Sequence, residues 1–120
     1  YSGVQFLNDM DLKSDKKDFL GNLSNIVHTH IADEDFQIAH LCRAAGMSRT
    51  QLHRKIKALT GESTSVFVKQ VKLERAKTLL KTTDKSVSEI AYSIGYKYPN
   101  HFSTDFKNEY GTAPQETREL

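Results

Sequence analysis

Apolar residues recur along this chain in stripes at helical spacing, broken by glycines and short polar turns. The sharpest stripe lies between Met47 and Gly61. There Leu52, Ile56 and Leu59 fall on one side, while Thr50, Gln51, Arg54 and Lys57 point the other way. Ser48 is a good N-cap, Gln51 three residues on completes a capping box, and Gly61 suits the C-terminal stop. Upstream, Leu41-Cys42-Arg43-Ala44-Ala45-Gly46 reads as a shorter helix ending in a glycine turn.

The other segments follow the same logic. Residues 1–13 lack periodicity and read as a linker or upstream tail. From about Asp15 to Ile31, with Ser14 as cap, the stripe is Phe19, Leu23, Ile26, Val27 and His30, and Gly21 weakens that helix by roughly 1 kcal/mol relative to Ala. Asp33-Glu34-Asp35 reads as a loop before Phe36, which can staple the next helix. Gln37 is a poor cap for the helix from Ile38 to Ala45, which packing is expected to hold. Ser63 caps a long helix from Thr64 to Lys81 with Phe67, Val68, Val71, Ala76, Leu79 and Leu80 on its apolar face. Ser86-Val87-Ser88-Glu89 is a second capping box, opening a short helix that stops at Gly95. Pro99 sits in the first turn of a helix running to Tyr110, with Phe102 and Phe106 inward and Gly111 as its stop, and Ala113-Pro114 starts a last turn or helix.

Two stretches are the same unit written twice. Leu41-Cys42-x-x-Ala45-Gly46 matches Ile90-Ala91-x-x-Ile94-Gly95 at an offset of 49, and Leu52, Ile56 and Gly61 match Phe102, Phe106 and Gly111 at an offset of 50. A short helix, a tight turn and a second helix with a polar outer face is the helix-turn-helix layout, whose second helix enters the DNA major groove. The predicted fold is all-α: two helix-turn-helix subdomains, 14–63 and 82–120, joined by a long linker helix, 64–81. That helix spans roughly 27 Å, enough to set recognition helices at about 48–60 and 99–110 into successive major grooves.

Charge sharpens this picture. The net charge of +2 conceals a division: residues 1–48 hold 4 Lys/Arg against 7 Asp/Glu, residues 49–85 hold 10 against 3, and residues 86–120 hold 3 against 5. A basic middle third is what a phosphate-binding footprint needs, although a solvated charged surface gives such a run too. One cysteine excludes an internal disulfide and fits a reducing cytoplasm. No stretch approaches the roughly 18 apolar residues of a membrane helix. Opening on Tyr1 rather than Met, the chain reads as a fragment of a longer protein.

Gly46-x-Ser48-x-x-x-Leu52-x-Arg54, Gly61-x-Ser63, Lys72-Leu73-Glu74-Arg75-Ala76-x-x-Leu79-Leu80, Ile90-Ala91-x-x-x-Gly95-Tyr96 and Phe102-x-x-x-Phe106-Lys107-x-x-Tyr110-Gly111-x-x-Pro114 together resemble the AraC/XylS family DNA-binding domain. The match covers about residues 35–118, and residues 14–31 fit the family's first helix. Met47 to Gly61 further resembles versions fused to hybrid two-component sensors. The resemblance implies a bacterial transcription regulator that binds double-stranded promoter DNA and recruits or positions RNA polymerase. It also implies a sensor, dimerisation or receiver domain elsewhere in the full-length protein, which could attach to a membrane if fused to a sensor kinase. Several positions depart from the family pattern. Thr64 stands where Pro is usual, Lys72 where Arg is common, Tyr98 where a capping Asp or Ser is usual, Thr104 where Arg is frequent and Thr117 where Tyr is common. The second unit keeps its skeleton and loses charge.

Turning each helix by 100° per residue gives the candidate contacts. Thr50, Gln51, His53 and Arg54 in the first reading helix, and Asn100, Ser103 and Thr104 in the second, are expected at base edges. Arg54 leads, because its fork takes guanine O6 and N7 together, and Asn100 pairs with adenine. For Gln51, His53 and Asn100, plain solvent exposure is the competing reading. Ser48, Arg49, Lys57, Ser86, Lys97 and Lys107 are expected at phosphates, which position the protein without choosing sequence. Lys69, Lys72, Arg75 and Lys77 read first as a solubilising face. No enzyme, cofactor or metal is expected. His28 with His30, and His40 with Cys42, are too far round a helix to clasp one ion, and Cys42 fits a core position. The competing function is a protein-interaction module whose basic helix docks on an acidic partner.

Overall fold

The structure, a computed structural model, describes residues 14–120; the expected tail over 1–13 lies outside the described residues. Seven helices and no strands occur among the described residues: α1 (Ser14–Thr29), α2 (Ile38–Ala45), α3 (Arg49–Thr60), α4 (Thr64–Thr82), α5 (Val87–Ser93), α6 (Pro99–Tyr110) and α7 (Pro114–Glu119). The all-α expectation holds. Contacts divide the described residues into two compact units, one of residues 14–30 and 36–71, the other of residues 31–35 and 72–120. The division falls inside α4, so each unit owns part of that helix.

In the first unit Leu20, Leu23 and Val27 of α1, Leu41 and Cys42 of α2, Leu52 and Ile56 of α3, and Phe67 and Val71 of α4 form one buried cluster. Leu20 was absent from the sequence stripe and is fully buried. His30, assigned to that stripe, is exposed instead, stacked on Phe36 with ring centroids 4.9 Å apart. Gln37 makes a better start for α2 than its type suggests: its backbone N–H donates to His40 Nδ1 at 2.9 Å, so a histidine supplies the returning half of a cap. Ser48 opens α3 as read. Its Oγ accepts from the Gln51 N–H at 3.1 Å and its own N–H donates to Gln51 Oε1 at 3.1 Å.

The second unit is built from Leu73, Ala76, Leu79 and Leu80 of α4, Ile90 and Ala91 of α5, Ile94, and Phe102 and Phe106 of α6. Ser86 and Glu89 form the second capping box, in which the backbone N–H and Oγ of Ser86 hold the Glu89 carboxyl below its usual range. Tyr96 donates its hydroxyl to Asp105 Oδ2 at 2.8 Å, and Tyr110 donates to Glu74 Oε2 at 3.0 Å. Burial, then the neighbouring carboxylates, raise both phenols well above their ordinary range, so both remain donors at neutral pH. Arg118 of α7 donates to the carbonyls of Leu80, Thr83 and Lys85, satisfying acceptors left open where α4 ends.

The repeat runs further than the sequence pattern suggested. α3 and α6 each have 12 residues, begin 50 apart and end at left-handed glycines, Gly61 and Gly111, which donate to Lys57 and Lys107 carbonyls. Three residues beyond each glycine another helix starts, at Thr64 and at Pro114, so α7 is the counterpart of the first turn of α4. Phe67 and Thr117, again 50 apart, both point inward. Thr117 pairs its hydroxyl with Thr112 at 2.8 Å, whereas the buried Thr64 hydroxyl has no partner at the place where the second unit uses proline. An unsatisfied buried hydroxyl costs about 1–3 kcal/mol. Thr64→Val is therefore expected to raise the unfolding free energy by about 1 kcal/mol, read as a higher urea midpoint at unchanged slope; a lower midpoint would mean that the hydroxyl is satisfied in the folded chain.

Candidate nucleic-acid interface

The outer side of α3 follows from its core line. Leu52 and Ile56 are fully buried, which turns Thr50, Gln51, His53, Arg54 and Lys57 outward, all of them exposed. Lys55 is turned away toward α1, its ammonium 4.1 Å from the Phe19 ring centroid, which removes one cation from the reading face. A groove of about 770 Å³ opens along this face. Arg49, Thr50, His53, Arg54, Lys57 and Ala58 form one wall; Ile38 at the start of α2 and Ser63, Thr64 and Ser65 at the start of α4 form the other. No carboxylate lines it.

Three of the contacts predicted for the first unit carry internal bonds. Gln51 gives its Oε1 to the Ser48 cap, which leaves its amide NH₂ for a ligand, and Ser48 Oγ is taken by the Gln51 N–H. The Lys57 ammonium donates to the Gly61 carbonyl at 2.9 Å, neutralising the C-terminal end of α3 while the residue still lines the groove. Ser48 and Gln51 stand outside the groove wall.

On the second unit, burial of Phe102 and Phe106 exposes Asn100, His101, Thr104 and Lys107 and leaves Ser103 half-buried; Lys97 and Ser86 are exposed as well. Thr104 Oγ1 donates to the Asn100 carbonyl at 3.0 Å. His101 packs edge-on against Tyr98, at 5.3 Å, giving the start of α6 an aromatic contact where a polar cap is missing. The Tyr96 bond keeps Asp105 half-buried. Ser86 Oγ already accepts from the Glu89 N–H, and the Glu89 carboxylate accepts from the Ser86 N–H. An anion arriving there meets that carboxylate.

Residues 41–120 match a family model described as a helix-turn-helix domain. The chain belongs to the AraC/XylS family of helix-turn-helix domains. Among solved structures, this AraC-type domain is similar to a transcriptional regulator from Chromobacterium violaceum described as containing an AraC-type DNA-binding domain. The two share 27% identity with a TM-score of 0.79, over 89% of this chain and 95% of that one. It is also similar to the DNA-binding domain of the global transcriptional factor AdpA in complex with a target DNA, at 27% identity and a TM-score of 0.73, over 83% of this chain and 89% of that one. Among curated proteins, 37% identity over 72% of the chain relates it to the regulator MtrA of Neisseria gonorrhoeae, and 32% over 90% to histidine kinase P4 of Formosa agariphila. The chain spans 29% of the first protein and 8% of the second.

Within this AraC-type chain, sequence reading missed the α4 side of the groove. Ser65 and Thr64 lay in a segment read only for its cap and core, although the register of the repeat already set them beside a reading helix. Lys72 and Lys77 of the long helix are half-buried. Burial lowers the Lys72 pKa, opposed by the charge of Asp33, and Lys77 lies over the Tyr110 ring at 4.8 Å. Their alkyl stems pack. No three His, Cys, Asp or Glu side chains converge as a metal set among the described residues, and no described helix is long and apolar enough to cross a membrane.

Proposed function

We propose that this chain binds double-stranded promoter DNA as the DNA-reading part of a longer transcription regulator, and that it acts by binding rather than by catalysis. The observation that carries the reading is the outward α3 face: three cations and two polar side chains on one carboxylate-free groove wall, in a chain similar to a domain captured on its target DNA. In this reading the subdomains are 14–63 and 82–120, with 64–81 connecting them, and α3 and α6 enter successive major grooves. Arg54 reads a guanine, with Thr50, Gln51, His53, Asn100, Ser103 and Thr104 at further base edges. Ser48, Arg49, Lys57, Lys97 and Lys107 hold phosphates, while the Glu89 carboxylate on the Ser86 cap argues against a phosphate there. RNA polymerase is the downstream partner, and similarity to a small part of a histidine kinase supports a role as output domain of a two-component protein.

Selection of the preferred duplex from a randomised library at near-physiological salt tests the reading. Two enriched blocks about 10 base pairs apart are expected; absence of enrichment, with binding that vanishes on adding salt, would reduce the surface to a basic patch. Arg54→Ala is expected to cost about 1–3 kcal/mol on the selected site and to relax preference at one base pair. An equal loss on every duplex would assign Arg54 to phosphate instead.

A further inference from the structure

We propose that the first turn of α4 is a second DNA-gripping element, holding a backbone phosphate in the groove beside the base pairs that α3 reads. The inference rests on the DNA-binding reading above and adds to it a site outside both reading helices. Helix α4 has 19 residues, and its first intrahelical bond is from the Phe67 N–H to the Ser63 carbonyl, at 2.9 Å. The Val66 N–H is taken by Ser63 Oγ at 3.3 Å. The N–H groups of Thr64 and Ser65 come before these bonds, at the positive end of the helix dipole, where an anion is favoured.

The independent observation is Thr64. It lines the groove, is 6% exposed, and its Oγ1 is buried with no hydrogen-bond partner. Such a hydroxyl is a cost in the free chain, closed to solvent as it stands; rotation of Thr64 about χ1 would turn it to the groove, where a phosphate oxygen offers it an acceptor. The matching position of the second unit carries Pro114, which has neither hydroxyl nor N–H, so the two halves of the repeat differ at this place. Across the groove stand Arg49 and Lys57, whose positive charges suit a phosphodiester monoanion and disfavour a cation or an apolar ligand. At the start of α5, by contrast, Glu89 already occupies the cap with a carboxylate of its own. A DNA strand crossing the groove thus meets Arg54 on its bases and Thr64 and Ser65 on its backbone, which fixes the depth of α3 in the major groove.

Thr64→Val and Ser65→Ala, in the full chain bound to the selected duplex, test this through equilibrium affinity and phosphate-ethylation interference. Each variant is expected to lose affinity about tenfold on preferred and unrelated duplexes alike, with Thr64→Val folding no less stably than the parent. Ethylation of one phosphate flanking the base pair read by Arg54 weakens the parent chain and leaves the doubly substituted chain unaffected. Unchanged affinity in both variants, while Arg54→Ala still loses its base preference, overturns the phosphate site and leaves the DNA reading standing. A parent chain with no duplex preference overturns both. Tight binding of an acidic peptide that DNA fails to displace also overturns the site, by giving the groove to a protein partner.

Discussion

Gly95→Ala is expected to destabilise the second unit by about 2–4 kcal/mol, the sum of left-handed strain and overpacking. Gly95 has φ of +88°, and a Cβ built there lies 2.6 Å from the Ile31 carbonyl oxygen, with Lys72 Nζ and the Asp33 carbonyl at 3.5 and 3.6 Å. The nearest atom is backbone, so no side chain can swing aside to relieve it. Gly46 supplies the control, because it closes the equivalent turn of the first unit at φ +68° with nothing within 4 Å of its Cβ. Gly46→Ala therefore carries the conformational cost alone, about 1 kcal/mol. Urea unfolding of the two variants side by side measures the difference. Equal costs would show that the Ile31–Asp35 loop gives way freely, and that only backbone conformation selects glycine in these turns.

Phe102→Ala is expected to cost about 3–5 kcal/mol, a large share of the roughly 5–15 kcal/mol that stabilises a small domain. Phe102 is fully buried and second in a row of rings: Tyr96 to Phe102 at 5.5 Å, Phe102 to Phe106 at 5.7 Å, and Phe106 to Tyr110 at 4.7 Å. Truncation leaves a void that Tyr96 and Tyr110 cannot fill without giving up their bonds to Asp105 and Glu74. The cores form separate clusters, so amide exchange should accelerate mainly over residues 72–120, and the footprint on the selected duplex should shrink to one block. Uniform acceleration over both units would mean that they unfold as one. Phe102→Leu, which keeps most of the volume, is expected to cost less and to retain both blocks.

Helix starts and stops were legible because their signals are local. Ser48 with Gln51, and Ser86 with Glu89, need only a few residues of chain to close their boxes, and Gly61 and Gly111 need only their own backbone freedom. Gln37 was misjudged for the same reason in reverse, since its cap is completed by His40, a residue outside the usual pattern. Leu20 was overlooked in a stripe that placed Phe19 and His30 inward. One turn of helix either side of a core line leaves that choice to the neighbouring helix.

Helix order, the repeat, the two core lines and the outward set on α3 and α6 were thus written in periodicity and caps, which act over a few residues. Which outward residues share a ligand was decided by packing. Arg54 and Ser65 are 11 positions apart and nothing in their spacing joins them; burial of Leu52, Ile56 and Phe67 in one cluster sets α3 against the start of α4 and makes their polar sides the walls of one groove. The same holds for Gly95, whose need for glycine comes partly from a carbonyl 64 residues earlier in the chain. Periodicity reports which side of a helix avoids water, and only the packed chain determines what stands opposite it.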